Sequence, residues 1–234
     1  MNKVLFLLTL LIAGTAIKAQ QINDPNAQVR EVRDFNAISV SHSFDVYLSQ
    51  GKEEGVAVSA ANTKDRDMIT VEVKDGVLYI GLDKGWKWNT GNKKLKAYIS
   101  FKQIGKLSIS GACDVFISGV LKADDLSIRQ SGASDLKGEL DVTKLSIDLS
   151  GASDMTVTGK ASQLSVEASG ASDFKGYGLV TEVCDAQASG ASDIRITVNK
   201  ELSAQASGAS DVKYKGNGVV KDLKSSGSSS VSKG

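Results

Sequence analysis

Proline is almost missing from this chain: Pro25 is the one example in 234 residues. Histidine is as scarce, with His42 alone, and cysteine stops at Cys113 and Cys184. Charge of either sign is balanced, leaving +1 overall. Beyond the first residues there is no long apolar run. Each shortage removes a class of protein. A near-neutral chain lacks the basic patch that a nucleic-acid partner calls for. A single histidine leaves the many serines without a base to activate them. The missing apolar runs leave no transmembrane segment in the mature chain. Glycine, by contrast, is plentiful at 23 residues. Glycine without proline points to many tight corners in a β protein rather than to a disordered linker.

The start of the chain reads as an export signal. Lys3 supplies positive charge, Val4 to Ile17 is apolar and too short for a membrane span, and small Ala19 precedes Gln20. Residues 1–19 are therefore assigned as a signal peptide cleaved after Ala19. Losing Lys3 and Lys18 turns the formal charge from +1 to −1. The expected location is outside the cytoplasm: periplasm, outer-membrane surface or medium.

A repeat dominates what remains. Ser-Gly-Ala-Ser-Asp occurs at 131–135, 150–154, 169–173, 189–193 and 207–211, with Ser-Gly-Ala-Cys-Asp at 110–114 and a worn copy at 226–230. The leading serines are 21, 19, 19, 20, 18 and 19 residues apart. Such a period means one supersecondary unit stacked on itself. Ahead of each motif the pattern has a period of two. Leu126, Leu145, Leu164, Cys184 and Leu202 form one column, and Leu107, Ile128, Ile147, Val166, Ala186, Ala204 and Leu223 form the next. A third column holds Ile109, Leu149, Ala168, Ala188 and Ala206, with Gln130 an exception. Polar residues fill the gaps, so each unit is strand with one buried face.

Within the motif the alternation breaks. The expectation is that its Ala points inward, flanked by corners that glycine permits, and that Cys113 replaces an outward Ser. Cys184 falls in a leucine column and reads as a small buried hydrophobe. Four coils at about 4.8 Å each separate the two thiols, too far for a disulfide. The fold class is all-β: a parallel β-helix, or solenoid, with coils of about 19–20 residues. The domain reading is a short linker at 20–28, one domain over 29–226 and a tail at 227–234. Its N-terminal half, to about 105, reads as the same design with weaker repeats.

The N-terminal segments Phe35–Val40, Phe44–Gly51 and Val71–Ile80, followed by the Ser-Gly-Ala-Ser-Asp repeats, resemble the exported bacterial DUF2807 family. That family is also called the putative auto-transporter adhesin head GIN domain. The resemblance covers nearly all of the mature chain. It implies a right-handed single-stranded β-helix in a cell-envelope protein, and it carries over no catalytic residues.

No catalytic site, cofactor or metal site is expected. A carbohydrate-active enzyme, the catalytic alternative for a β-helix, needs paired carboxylates or a base with metal ligands in one groove. Here the acids belong to the repeat, and His42 takes a place where later copies have Gly111 or Gly132. Asp114, Asp135, Asp154, Asp173, Asp193 and Asp211 would stack as a ladder. Lys137, Lys175, Arg195 and Lys213, two positions on, would neutralise it without calcium. Two features suit partners. Ser127, Ser146, Ser165 and Ser203 make a regular polar column fit for a repetitive ligand, a glycan or an envelope protein. Trp86 and Trp88, in a lysine-rich loop, read either as a lid over apolar rungs or as a partner contact. A purely structural role, with copies joined in a homo-oligomer, is the other reading.

Overall fold

The computed structural model describes residues 24–86 and 94–234. The proposed signal peptide, the first residues after it and Trp88 lie outside the described residues. The described chain winds into a β-solenoid of stacked parallel coils with about 7 turns. Its regular part runs through β9 (Asp114–Gln130), β10 (Asp135–Leu149), β11 (Asp154–Ala168), β12 (Asp173–Ala188) and β13 (Asp193–Gly208). Each strand pairs in parallel with the next, so equivalent repeat positions share a register. Leu126, Leu145, Leu164, Cys184 and Leu202 align as one buried column. Burying such a column, about 1.5–3 kcal/mol for each large aliphatic side chain, drives the coils together. Gln130 also points inward. Its amide donates to the carbonyls of Ser134 and Asp154, while Oε1 has no partner.

The corner between strands differs from the expectation in its phase. Ala112, Ala133, Ala152, Ala171, Ala191 and Ala209 are exposed, whereas Ser134, Ser153, Ser172, Ser192 and Ser210 are fully buried. The cause is the glycine, whose φ lies between +78° and +90° from Gly111 to Gly208. One left-handed residue rotates the chain so that the following methyl leaves the core and the next side chain enters it. Each buried hydroxyl then reaches the carbonyl of the motif's own first serine. The distance is 3.2 Å at Ser134, 2.9 Å at Ser153 and Ser172, 2.7 Å at Ser192 and 2.8 Å at Ser210. A small polar residue is thereby tolerated inside because its donor is satisfied. Cys113 is likewise buried, not outward, with Sγ 3.5 Å from the Ser110 carbonyl. Both cysteines are free thiols.

The N-terminal part departs from simple stacking. β2 (Ala37–Val40) lies between β6 (Val77–Leu82) and β8 (Lys106–Ile109), parallel to both. β3 (Asp45–Gln50) likewise lies between β7 (Lys96–Phe101) and β9. The first coil in sequence is therefore the second in space. Around the end coil the chain turns antiparallel: β4 (Gly55–Ser59) on β7, β1 (Gln28–Arg30) on β4, and β5 (Ile69–Lys74) on β6. One turn of helix, α1 (Thr63–Asp67), links β4 to β5, with Asn62 Oδ1 accepting from the Asp65 N–H at 2.9 Å. His42 keeps the corner's positive φ of 83° without being glycine. It lies over Gly81, which has no side chain to resist it. At the other end, β14 (Asp211–Lys215), β15 (Val219–Gly227) and β16 (Ser230–Lys233) continue the register on β13 and β14. Strand thus extends through most of the segment read as a tail. One apolar cluster runs from Phe35 to Val212 along the whole axis.

Candidate functional site

Strands alternate their side chains, so the residues flanking the leucine column point out of the solenoid. On one side stand Asp125, Lys144, Gln163 and Val183; on the other, Ser127, Ser146, Ser165 and Asp185. These two columns line an open groove of about 470 Å³ that runs across β9 to β12. The serines are short, so the surface recedes above them, and Lys144 and Gln163 rise beside them as a wall. Hydroxyls repeat here at the strand spacing of about 4.8 Å. Each can donate one hydrogen bond and accept others. Asp185 interrupts the serine column before Ser203 resumes it. Leu126, Leu145 and Leu164 also line the groove, so it offers an apolar strip beside the hydroxyls, with Asp125 and Asp185 at its two ends and Lys144 between them.

The aspartates form a second ladder on a different part of the coil. Asp114, Asp135, Asp154, Asp173, Asp193 and Asp211 are in register, and Asp45 extends the column by one more member. Cations two residues on reach them: Lys175 to Asp154 at 2.6 Å and Asp173 at 3.6 Å, Arg195 to Asp193 at 2.8 Å, and Lys213 to Asp211 at 3.5 Å. The hydrogen bond to Asp154 is the main reason the Lys175 ammonium is held above its ordinary value. Asp211 is lowered chiefly by the hydroxyl of Ser230, 2.7 Å away. Asp45 is raised, first by burial and then by the charge of Asp114. At this end aromatics take the place of cations. Tyr98, Tyr47 and Phe116 stack with ring centroids 5.2 and 5.5 Å apart. The matching triplets Asp45-Val46-Tyr47 and Asp114-Val115-Phe116 carried this signal in the sequence, and it was missed.

Among the described residues, no three His, Cys, Asp or Glu side chains gather as a metal site. Ser41 Oγ lies 2.9 Å from His42 Nδ1, and the two are chain neighbours at a corner. Trp86 is half-buried and packs on the core; it is not part of the groove.

The profile of the family described as "Putative auto-transporter adhesin, head GIN domain" (DUF2807) matches residues 34–218. The chain belongs to this family. Solved structures share the GIN-domain fold. A putative adhesin from Bacteroides fragilis aligns with a TM-score of 0.82 and 24% identity, covering 88% of this chain and 95% of its own. One from Parabacteroides merdae gives 0.70 and 18%, covering 88% and 95%. A putative lipid binding protein from Parabacteroides distasonis gives 0.68 and 20%, covering 89% and 96%. No curated protein matches. At these identities the likeness carries the fold alone, so a reading of what a GIN domain binds rests on this chain's own surface.

Proposed function

We propose that this GIN-domain protein is an exported, non-catalytic adhesin-type scaffold whose serine groove binds a linear, repetitive polar ligand, a glycan of the cell envelope or of a host surface. One observation carries the reading: Ser127, Ser146 and Ser165 line a single groove in register across successive strands. A ligand with its own short repeat can offer a hydroxyl to each strand in turn, and many weak contacts then add along one rigid row. Family membership supports an adhesin-like role outside the cytoplasm. Among the described residues no helix is long and apolar enough to cross a membrane.

The test is a glycan array followed by titration of any hit against Ser146→Arg and Ser165→Arg. Both serines are exposed, so the variants keep the wild-type melting temperature while a bulky cation blocks the groove. Binding that survives both substitutions refutes the groove as the site. Trp86→Ala and Trp88→Ala form a second arm: lost binding with unchanged melting moves the contact to the tryptophan loop. Phospholipid vesicles form a third, and binding to them in place of glycans refutes the ligand class.

A further inference from the structure

The two ends of the solenoid are finished differently. At one, antiparallel strands β1, β4 and β5 wrap the end coil. At the other, β15 pairs only with β13, and β16 only with β14, among the described residues. The register sends Val220 and Leu223 inward, beside Leu202 and Ala204. Their neighbours are buried, yet Val220 is 36% and Leu223 43% exposed, and outward Val219 is 62% exposed. An open strand edge with apolar side chains on its core face is a template for another strand.

We propose that β15 is a self-complementary edge on which a second copy of this chain docks tail to tail, antiparallel, about a twofold axis at Leu223. Charge decides the partner and the register. Asp222 and Lys224 point to the same outer face and lie 2.7 Å apart. In an antiparallel pair centred on Leu223, residue 222 of each copy stands directly opposite residue 224 of the other. Asp222 therefore meets Lys224 twice, once in each direction, as an isologous interface requires. Lys221 sits where the β13–β15 register shifts and is already engaged by Glu201 at 3.5 Å. With this residue looped out, Val220 falls opposite Ser225 of the second copy, and Val219 opposite Ser226. Side chains then match face for face along the strand. The two Leu223 side chains meet at the axis and close both cores.

The test uses the mature chain and its size in solution by sedimentation equilibrium from low micromolar to several hundred micromolar. A monomer–dimer equilibrium is expected. Lys224→Asp puts a carboxylate opposite Asp222, and Asp222→Lys puts two ammonium groups together. Each single reversal weakens the dimer by about tenfold or more, and the double reversal restores it, because like charges facing each other cost what opposite charges gain. Melting temperatures stay level, because both groups lie on the surface. Leu223→Cys reads the register directly. Cα atoms facing each other in an antiparallel pair are about 4.5–5.5 Å apart, within disulfide range, so mild oxidation yields a covalent dimer. Ser226→Cys, three positions from the axis, stays uncrosslinked. The native thiols are buried and add no background. A wild type that is monomeric throughout, single reversals that dimerise undiminished, or crosslinking at 226 but not at 223 each overturns the proposal.

Discussion

Two glycines with nearly the same backbone angle separate the cost of a left-handed residue from the cost of parting two coils. Gly190 has φ of +78° and Gly119 has φ of +75°. A Cβ added at Gly119 meets nothing within 4 Å, whereas one at Gly190 would sit 2.6 Å from the Gly170 carbonyl oxygen. Alanine at either site takes on the left-handed penalty of about 1–2 kcal/mol. At Gly190 the coils must also part, because no methyl group approaches an oxygen so closely. The bond from the Ala191 N–H to Gly170 O is 2.7 Å long, and those from Ser189 and Asp193 to the same earlier coil are 2.9 and 3.0 Å. Weakening these three costs a further ~2–3 kcal/mol at a net of about 1 each. Gly119→Ala should therefore cost about 1–2 kcal/mol and Gly190→Ala about 3–5. For a chain of this size the second should melt roughly 5–10 °C below the first. Circular dichroism melts measure the difference, and hydrogen exchange at Ala191 and Ser189 locates it. Equal melting of the two variants would refute the claim that glycine is required here by the coil beneath it.

Leu145→Ala and Leu164→Ala each remove a large side chain from the buried column, and a loss of about 2–5 kcal/mol in urea titrations is expected. Burial pushes both cysteine thiols up, so Cys113 and Cys184 should resist alkylation in the native protein at mildly alkaline pH. Mass spectrometry should find both modified only after unfolding. The contact between the segment ahead of β1 and strand β7 should respond to pH at both extremes. Burial opposes ionisation of Asp24, but hydrogen bonds from the Asn26 N–H, Tyr98 and Ser59 and the charge of Lys96 outweigh it and hold the carboxyl below 3.8. Its stabilisation is present above that value and is lost as pH falls through the lower folded one. Tyr98 is raised by burial and by its bond to Asp24, so its contribution is complete below 10.0 and is lost as pH rises further. Melting curves against pH should show both limbs, and Asp24→Asn should flatten the acid one; identical profiles would contradict the assignment. Finally, Lys175, Arg195 and Lys213 neutralise the aspartate ladder from Asp154 to Asp211, so a calcium chelator should leave the melting temperature unchanged. A fall of many degrees would point to bound calcium.

The stacked coils were legible because they are local and repetitive. A period of two between copies of one motif fixed which of Leu145, Ser146 and Ile147 face inward, and counting from one motif to the next fixed the register. The corner was misread because both candidates for the inward position, Ala and Ser, are small. Hydropathy favours Ala there, but the backbone rotation at glycine overrides it, and a satisfied hydroxyl takes the buried place. Ser41–Val46 is legible as a divergent copy of Ser110–Val115, which sets Asp45 against Asp114, but the Tyr98–Tyr47–Phe116 stack was missed because Tyr98 lies in a coil without a copy of the motif. The antiparallel strands around the end coil leave no repeat to count. The groove was half visible: its serine column stood in the sequence, while the wall of Lys144 and Gln163 depends on how far the surface recedes beside it.

The order in which the coils are laid down gives the rod a direction under load. Pulled from the C-terminal side, β16 and β15 are each held along one edge among the described residues, so the solenoid can peel one coil after another, a few bonds at a time. Pulled from the N-terminal side, β1 and β4 give way first, but Ala37–Val40 and Asp45–Gln50 are each gripped by strands above and below. Extracting them means shearing two ladders together. Such a rod yields gradually at one end and locks at the other, and single-molecule pulling from each terminus in turn would record a staircase from the first and a single high rupture from the second.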